Sequence, residues 1–346
     1  MKRIEMRSDT FTLPTQEMID AISRAELGDD VYGEDPTVKQ LEQMAAECLG
    51  KEAAILLPSG TMANLTSLMA HCPRGTRVLV GHETDIYLYE AGGAAVCGGI
   101  QYEPIPNQPD GRFLLSDLEK VFPPDDEDAQ FAPISLICLE NPQSRCGGVV
   151  LPLSYMEEMR LFADAKGLPV HLDGARLFNA ATALNVAPAE IAKYADSVQF
   201  CLSKSLAAPI GSIVAGTRTF VSQVHRLRKM LGGGMRQAGM IAAPGIVALE
   251  QVVPLLADDH RRAKRFAEGL MRIPGLVVEP LAETNMVLFR VEAEHMSWRE
   301  LMSHAAERGL FLYEFGHGRL RAMTHLNISD QDVEDALSIV RELMQS

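Results

Sequence analysis

The sequence predicts an α/β fold, a parallel sheet covered by helices followed by a smaller α+β domain, and three observations lead there. Short apolar runs alternate with longer amphipathic ones through most of the chain, the pattern of strands buried on both faces. After Gly234 the texture changes to charged amphipathic stretches around one further apolar run. A chain of 346 residues also exceeds what one compact core usually organises.

The elements follow in order. Residues 1–15 read as an N-terminal arm and Gln16–Val253 as the large domain. Within it, Ala53–Leu57, Arg77–Val80, Ile134–Leu139, Val170–Leu172 and Val198–Leu202 read as strands, with helices at Met62–His71 and Tyr155–Lys166. Residues 254–346 form the small domain: a helix from about Asp258 to Met271, a strand at Met286–Arg290, a helix at Trp298–Arg308 and a final helix ending near Met344.

Composition narrows the function. Apolar residues at 47% and charged residues at 23% are ordinary for a globular protein. A formal net charge of −14 argues against binding nucleic acid, although a basic spot such as Arg226–Lys229 suits one small anion. No apolar run approaches the roughly 20 residues that cross a bilayer, and the first residues lack the apolar block of a signal peptide. Six scattered cysteines (Cys48, Cys72, Cys97, Cys138, Cys146, Cys201) show no paired spacing, so neither disulfides nor a metal site is expected. The expected compartment is the cytoplasm.

Three places carry chemistry. Ser59-Gly60-Thr61 joins a strand to a helix, where free N–H groups and the positive end of the helix dipole face an anion. An N-capped turn with no ligand is the plainer meaning of that motif. Asp173 ends the apolar strand Val170–Leu172, pointing into the crevice where such sheets bind ligands. Beside a pyridine ring it would keep the ring nitrogen protonated; alone, it reads equally as a helix cap. Lys204 follows the strand Ser197–Leu202, ahead of a run of small residues, and desolvation there is expected to lower its pKa and favour imine formation. An anion turn, a strand-end Asp and a strand-end Lys in that order read as a pyridoxal-5′-phosphate (PLP) site.

The chain resembles the low-specificity L-threonine aldolases along nearly its whole length. The matching stretches are Met6–Thr10, Gly28–Pro36, Pro58–Thr61, Tyr89–Gly93, Asp173–Ala180, Cys201–Lys204, Gly232–Gln237 and Arg321–His325. The resemblance implies PLP fold type I, an aspartate-aminotransferase-like large domain with a mainly parallel seven-stranded sheet. It implies cleavage of a β-hydroxy-α-amino acid to glycine and an aldehyde, in a homodimer or homotetramer with shared active sites. Lys204 would hold the cofactor as a Schiff base, Gly60 and Thr61 its phosphate together with Arg236 from a neighbouring subunit, Asp173 its ring nitrogen and Arg176 its phenolic oxygen. Ser8, Arg145 and Arg321 would bind the substrate carboxylate, as the guanidinium fork suits, with Tyr32, Gln143 and Lys229 nearby.

Two positions depart from the family. Asp85 stands where a histidine usually stacks on the ring, and Gln143 where the family has a second histidine in the stretch Glu140–Ser144. An aspartate cannot stack as an aromatic ring does, and a glutamine is no acid or base. The proton acceptor is then Asp85, a water or the cofactor phosphate. The changes also leave open β-elimination from another amino acid, or a silent binding protein, against which retention of Lys204 and Asp173 argues. Of the histidines, His171 is expected to be buried and hydrogen-bonded, His325 to support Arg321, and His260, His295 and His304 to lie on helix surfaces.

Overall fold

The computed structural model describes residues 2–125 and 128–345. The first strand, β1 (Ile4–Glu5), is followed by β2 (Ala53–Leu57), β3 (Arg77–Gly81), β4 (Gln101–Ile105), β5 (Ile134–Glu140), β6 (Val170–Asp173), β7 (Ser197–Cys201) and β8 (Ser212–Gly216). The last seven make one sheet in the order β2-β8-β7-β6-β5-β3-β4. β8 runs antiparallel to both its neighbours; the pairs from β7 across to β4 are parallel. β2 therefore points the same way as β7. The expected seven-stranded, mainly parallel sheet is present.

This topology positions the site. The carboxyl ends of β2, β3, β5, β6 and β7 meet along one rim, and the segments leaving them carry Gly60, Asp85, Glu140, Asp173 and Lys204. Register places Glu140 beside Asp173 and Asp173 beside Gln199, so these three side chains leave the same face.

Apolar packing holds the sheet. On one face Leu41, Leu56, Ile137, Leu172, Phe200 and Ala242 belong to a continuous core shared with the helices Pro36–Leu49, Leu153–Ala165 and Gly239–Val247. On the other, Ile55, Leu57 and Val214 pack against Ala63 of the helix Gly60–His71 and Val224 of the helix Arg218–Met230.

After β9 (Leu276–Val278) and β10 (Met286–Val291) come β11 (Leu310–Phe311), β12 (Tyr313–Glu314) and β13 (Leu320–Met323). All but β11 form the antiparallel sheet β12-β13-β10-β9. The helices Leu256–Leu270, Trp298–Glu307 and Asp330–Gln345 close a second core over it through Phe266, Leu301 and Val340. β1 pairs with β11, seating Ile4 and Met6 in that second core. The expected arm is thus stitched down at its start, because those two apolar side chains gain more from burial than from water. One further expectation needs correction. Gly239–Leu270 is a continuous helical stretch long and apolar enough, by composition, to cross a membrane. Ala242, Val247, Ala248, Val252 and Leu256 spend that apolar character in the main core.

Candidate active site

Asp173 lies at the floor of the rim and is buried. Oδ1 accepts from Gln199 Nε2 and from the Ala175 N–H at 3.0 Å, and Oδ2 accepts from Asn64 Nδ2 at 2.8 Å. Burial raises its pKa above the ordinary aspartate value, Lys204 opposes, and Asp85 adds to the rise. Glu140 and Glu90 are raised well above theirs, by burial first, then by neighbouring carboxylates including Asp173 and Asp85. Glu140 accepts two backbone N–H groups, Asp85 at 2.9 Å and Ser144 at 2.8 Å.

Two cavities adjoin through Asp85, Tyr89 and Lys204, which line both. The inner one, about 150 Å³, is closed by Gly60, Thr61, Asp173 and Gln199. At its mouth Ser59 caps the helix Gly60–His71, with Oγ accepting from the Met62 N–H at 3.2 Å. A Cβ on Gly60 would lie 2.8 Å from Cys201 Sγ, so a side chain would fill the cradle that the turn leaves. An anion turn, a buried carboxylate and an amine around one small space are the donor set for a phosphorylated pyridine aldehyde. The residues fit PLP.

Lys204 stands three residues beyond β7 and is partly buried. Its pKa is raised, not lowered as expected. Burial, the largest influence, pulls it down, but Cys201, Asp85 and Asp9 together outweigh that and the opposing Arg176. Desolvation alone is a poor guide where three acidic groups face one amine.

The outer cavity, about 360 Å³, is aromatic and cationic: Phe11, Tyr313 and Phe315 share it with Arg7, Arg321 and Ser8. The Arg321 guanidinium lies 4.0 Å over the Phe315 ring and donates through Nε to the Arg7 carbonyl at 3.0 Å. Burial, then Arg176, lowers its pKa to about 10. Ser8 Oγ accepts from Thr10 Oγ1 at 3.0 Å. Arg176 reaches this wall gripped by Asp9, and its Nη1 donates to Ser144 Oγ at 3.2 Å.

Other expected residues stand elsewhere. Gln143 is not brought to either cavity: it is buried, its Nε2 donates to the Glu83 carbonyl and its Oε1 accepts from the Cys146 N–H, each at 2.6 Å. Its amide is spent on the backbone. Arg145 lines a third cavity, about 460 Å³, where its Nε is paired with Glu83 while Nη1 donates to the Tyr89 hydroxyl at 2.5 Å. It meets the outer cavity from behind, through that hydroxyl and with its guanidinium 5.4 Å over the Phe315 ring. Tyr32 is 74% exposed, and Arg236, also exposed, pairs with Asp29 at 2.8 Å. Lys229 is exposed on the helix Arg218–Met230. His260, expected on a surface, is half-buried and within 3.1 Å of Asn179 Nδ2, and His295 lies outside the helices. His325 bonds the Glu5 carbonyl at 2.9 Å.

Sequence reasoning passed over Asp9, Asn64, Glu90, Gln199 and the aromatics Phe11, Tyr313 and Phe315. Gln199 was legible: it lies in the apolar strand β7, and a polar residue buried in a strand needs a partner. The aromatics come from two distant segments, with no local signal.

The chain matches the family model described as beta-eliminating lyase over residues 5–294. It is 41% identical to low-specificity L-threonine aldolase 1 of Arabidopsis thaliana, covering 99% of this chain and 97% of the relative. It is 42% identical to the low specificity L-threonine aldolase of Escherichia coli K12, covering 96% of each. Among solved structures it superposes on Leishmania major threonine aldolase with a TM-score of 0.84 at 17% identity, covering 98% of each chain. A putative L-allo-threonine aldolase of Listeria monocytogenes gives 0.80 at 21%, covering 94% of this chain and 93% of the other.

Proposed function

The chain belongs to the low-specificity L-threonine aldolases of the beta-eliminating lyase family, and from that premise we propose that it cleaves threonine-type β-hydroxy-α-amino acids to glycine and an aldehyde. The observation that carries this reading is the junction of the two cavities at Lys204: a cofactor-sized space with an anion turn and Asp173 on one side, a space with Arg321 on the other.

PLP, when bound, supplies an electron sink for the pair released at the substrate's Cα. Gly60 and Thr61 would hold its phosphate by backbone N–H groups, Lys204 its aldehyde carbon and Asp173 its ring nitrogen. Arg321, roofed by Phe315, grips the substrate carboxylate, and Ser8 adds a hydroxyl beside it. That grip would fix the substrate's orientation, which decides the bond at Cα that breaks. Asp85 lines both cavities beside Lys204, so it accepts the β-hydroxyl proton directly or through one water. The aromatic walls suit the apolar side chain of the departing aldehyde.

We further infer an oligomer in the cytoplasm. Exposed Ile19, Leu27, Tyr32 and Met240 support an interface, across which the exposed Arg236, paired with Asp29 in this chain, would reach a neighbour's phosphate. β-Elimination is the second reading, favoured by the carboxylate at position 85. The test is a product assay with PLP-loaded protein. Glycine and acetaldehyde from threonine or allo-threonine support the proposal; ammonia and a keto acid from serine, with no glycine, would assign elimination instead.

A further inference from the structure

The hydrogen bonding of Asp173 continues past Asn64. The Asn64 amide donates once to Asp173 Oδ2 at 2.8 Å and once to Glu90 Oε1 at 2.7 Å. Both its protons are then used, and Oδ1 faces His171 Nε2 at 3.2 Å. Turning the amide over would aim that oxygen at Asp173 Oδ2 and remove the donor the carboxylate now has, so Asp173 selects the observed orientation. His171 Nε2 must therefore carry the proton.

His171 is fully buried, and burial lowers its pKa to about 3, so the ring is neutral and Nδ1 is a bare acceptor. Ser197 Oγ lies 2.8 Å from Nδ1 and spends its single proton there. That leaves the Ser197 oxygen to accept from His71 Nε2 at 2.7 Å. His71, half-buried, stacks on Phe220 with ring centres 4.5 Å apart.

The scaffold explains the line. His171 and Ser197 are register partners on β6 and β7. Asn64 and His71 are two turns apart on the helix Gly60–His71, which crosses above those strands. The same helix offers its N-terminus to the phosphate.

We propose that His71, Ser197, His171 and Asn64 are positioning residues, forming a one-way hydrogen-bond relay whose every proton points toward Asp173 and keeps that carboxylate an acceptor aimed at the cofactor's ring nitrogen. This rests on the PLP reading above. An isolated buried carboxylate tends to take a proton and cease to be such an acceptor. Donors locked in one direction oppose that, and none can turn without breaking the next link.

The deciding experiment is the ¹⁵N NMR tautomer of His171, read in the protein with and without PLP, together with the variant Ser197→Ala. The relay requires the Nε2–H tautomer in the parent. Without the serine, Nδ1 loses its donor and His71 Nε2 its acceptor, while Asn64 Oδ1 still holds the ring's proton on Nε2. Ser197→Ala should therefore keep Nε2–H with a shifted Nδ1 resonance and weaken PLP binding by about tenfold, the scale of a hydrogen bond to a charged group. It should also lower kcat with little change in the KM for threonine. An Nδ1–H parent overturns the proposal, whatever the variant's stability. So does a Ser197→Ala protein with parental PLP affinity, or one whose KM rises as much as its Kd for PLP. A parent that fails to bind PLP refutes the cofactor reading instead, and the tautomer still decides the relay's direction.

Discussion

Asp9 and Arg176 face each other through two parallel 2.7 Å hydrogen bonds, Nε to Oδ2 and Nη2 to Oδ1, with both side chains buried. Ser205 Oγ donates to the same Oδ2 at 2.7 Å. The guanidinium holds the Asp9 carboxyl well below the usual range against the effect of burial, and Asp9 raises Arg176 in turn. Removing one partner strands the other. Asp9→Ala should cost about 3–5 kcal/mol, as broken buried pairs do, read as a fall in the denaturation midpoint. The double variant with Arg176→Ala should cost less than the sum of the singles.

Lys204→Ala should remain folded and lose all turnover. Borohydride treatment with PLP should then fix no cofactor to the chain. A reduced adduct at another lysine would move the assignment.

Arg321→Lys should raise the KM for amino acids by about 10–100-fold and leave the Kd for PLP near the parent's. A lone ammonium gives up the two-point grip, and a charge-assisted hydrogen bond contributes roughly 1.5–3 kcal/mol. Equal losses of both affinities would place Arg321 on the cofactor.

Asp85→Asn keeps the shape and removes the charge. A proton acceptor contributes about 10²–10⁴-fold, so kcat for threonine should fall by that order while PLP still binds. Asp85→His should retain or raise the activity. Parental rates in both variants would leave Asp85 no catalytic role.

Asp259 supplies a pH test outside the site. It is buried, and burial raises its pKa from 3.8 to about 7, Arg262 offsetting only part. Between those values the folded state holds a proton that the unfolded chain has released, so this group's contribution to stability falls as pH rises from 3.8 through 7. Asp259→Asn carries no such penalty. It should match the parent near pH 4, gain on it progressively to pH 7, and keep a constant lead above, measured by urea midpoints across that range.

Much of this was legible in the sequence, for physical reasons. Strand-end residues such as Asp173 and Lys204 announce themselves because an apolar run fixes where the chain must emerge. Gly60 did so because a strand-to-helix turn has one geometry. Gln143 and Arg145 misled: the resemblance located them beside the substrate, but Glu83 engages both, its carbonyl taking the amide and its carboxylate the guanidinium. Asp9 was hidden in a segment without periodicity, and its partner lies 167 positions away. The Lys204 shift failed to follow from burial because it depends on three acidic groups from separate segments.

The pairing of Ile4 with Leu310 sets an order of events. Gly60, Asp173 and Lys204 are carried by one sheet whose longest-range pairing, β2 with β8, is complete once Gly216 has joined it. Asp9 has its partners at Arg176 and Ser205, but the strand before it is seated only when a loop of about three hundred residues closes, a slow class of contact to form. During vectorial synthesis the first residues wait for nearly the whole chain to follow. The arm that carries Ser8 is thereby the last part of the substrate wall to be fastened, together with the strands that carry Tyr313 and Arg321.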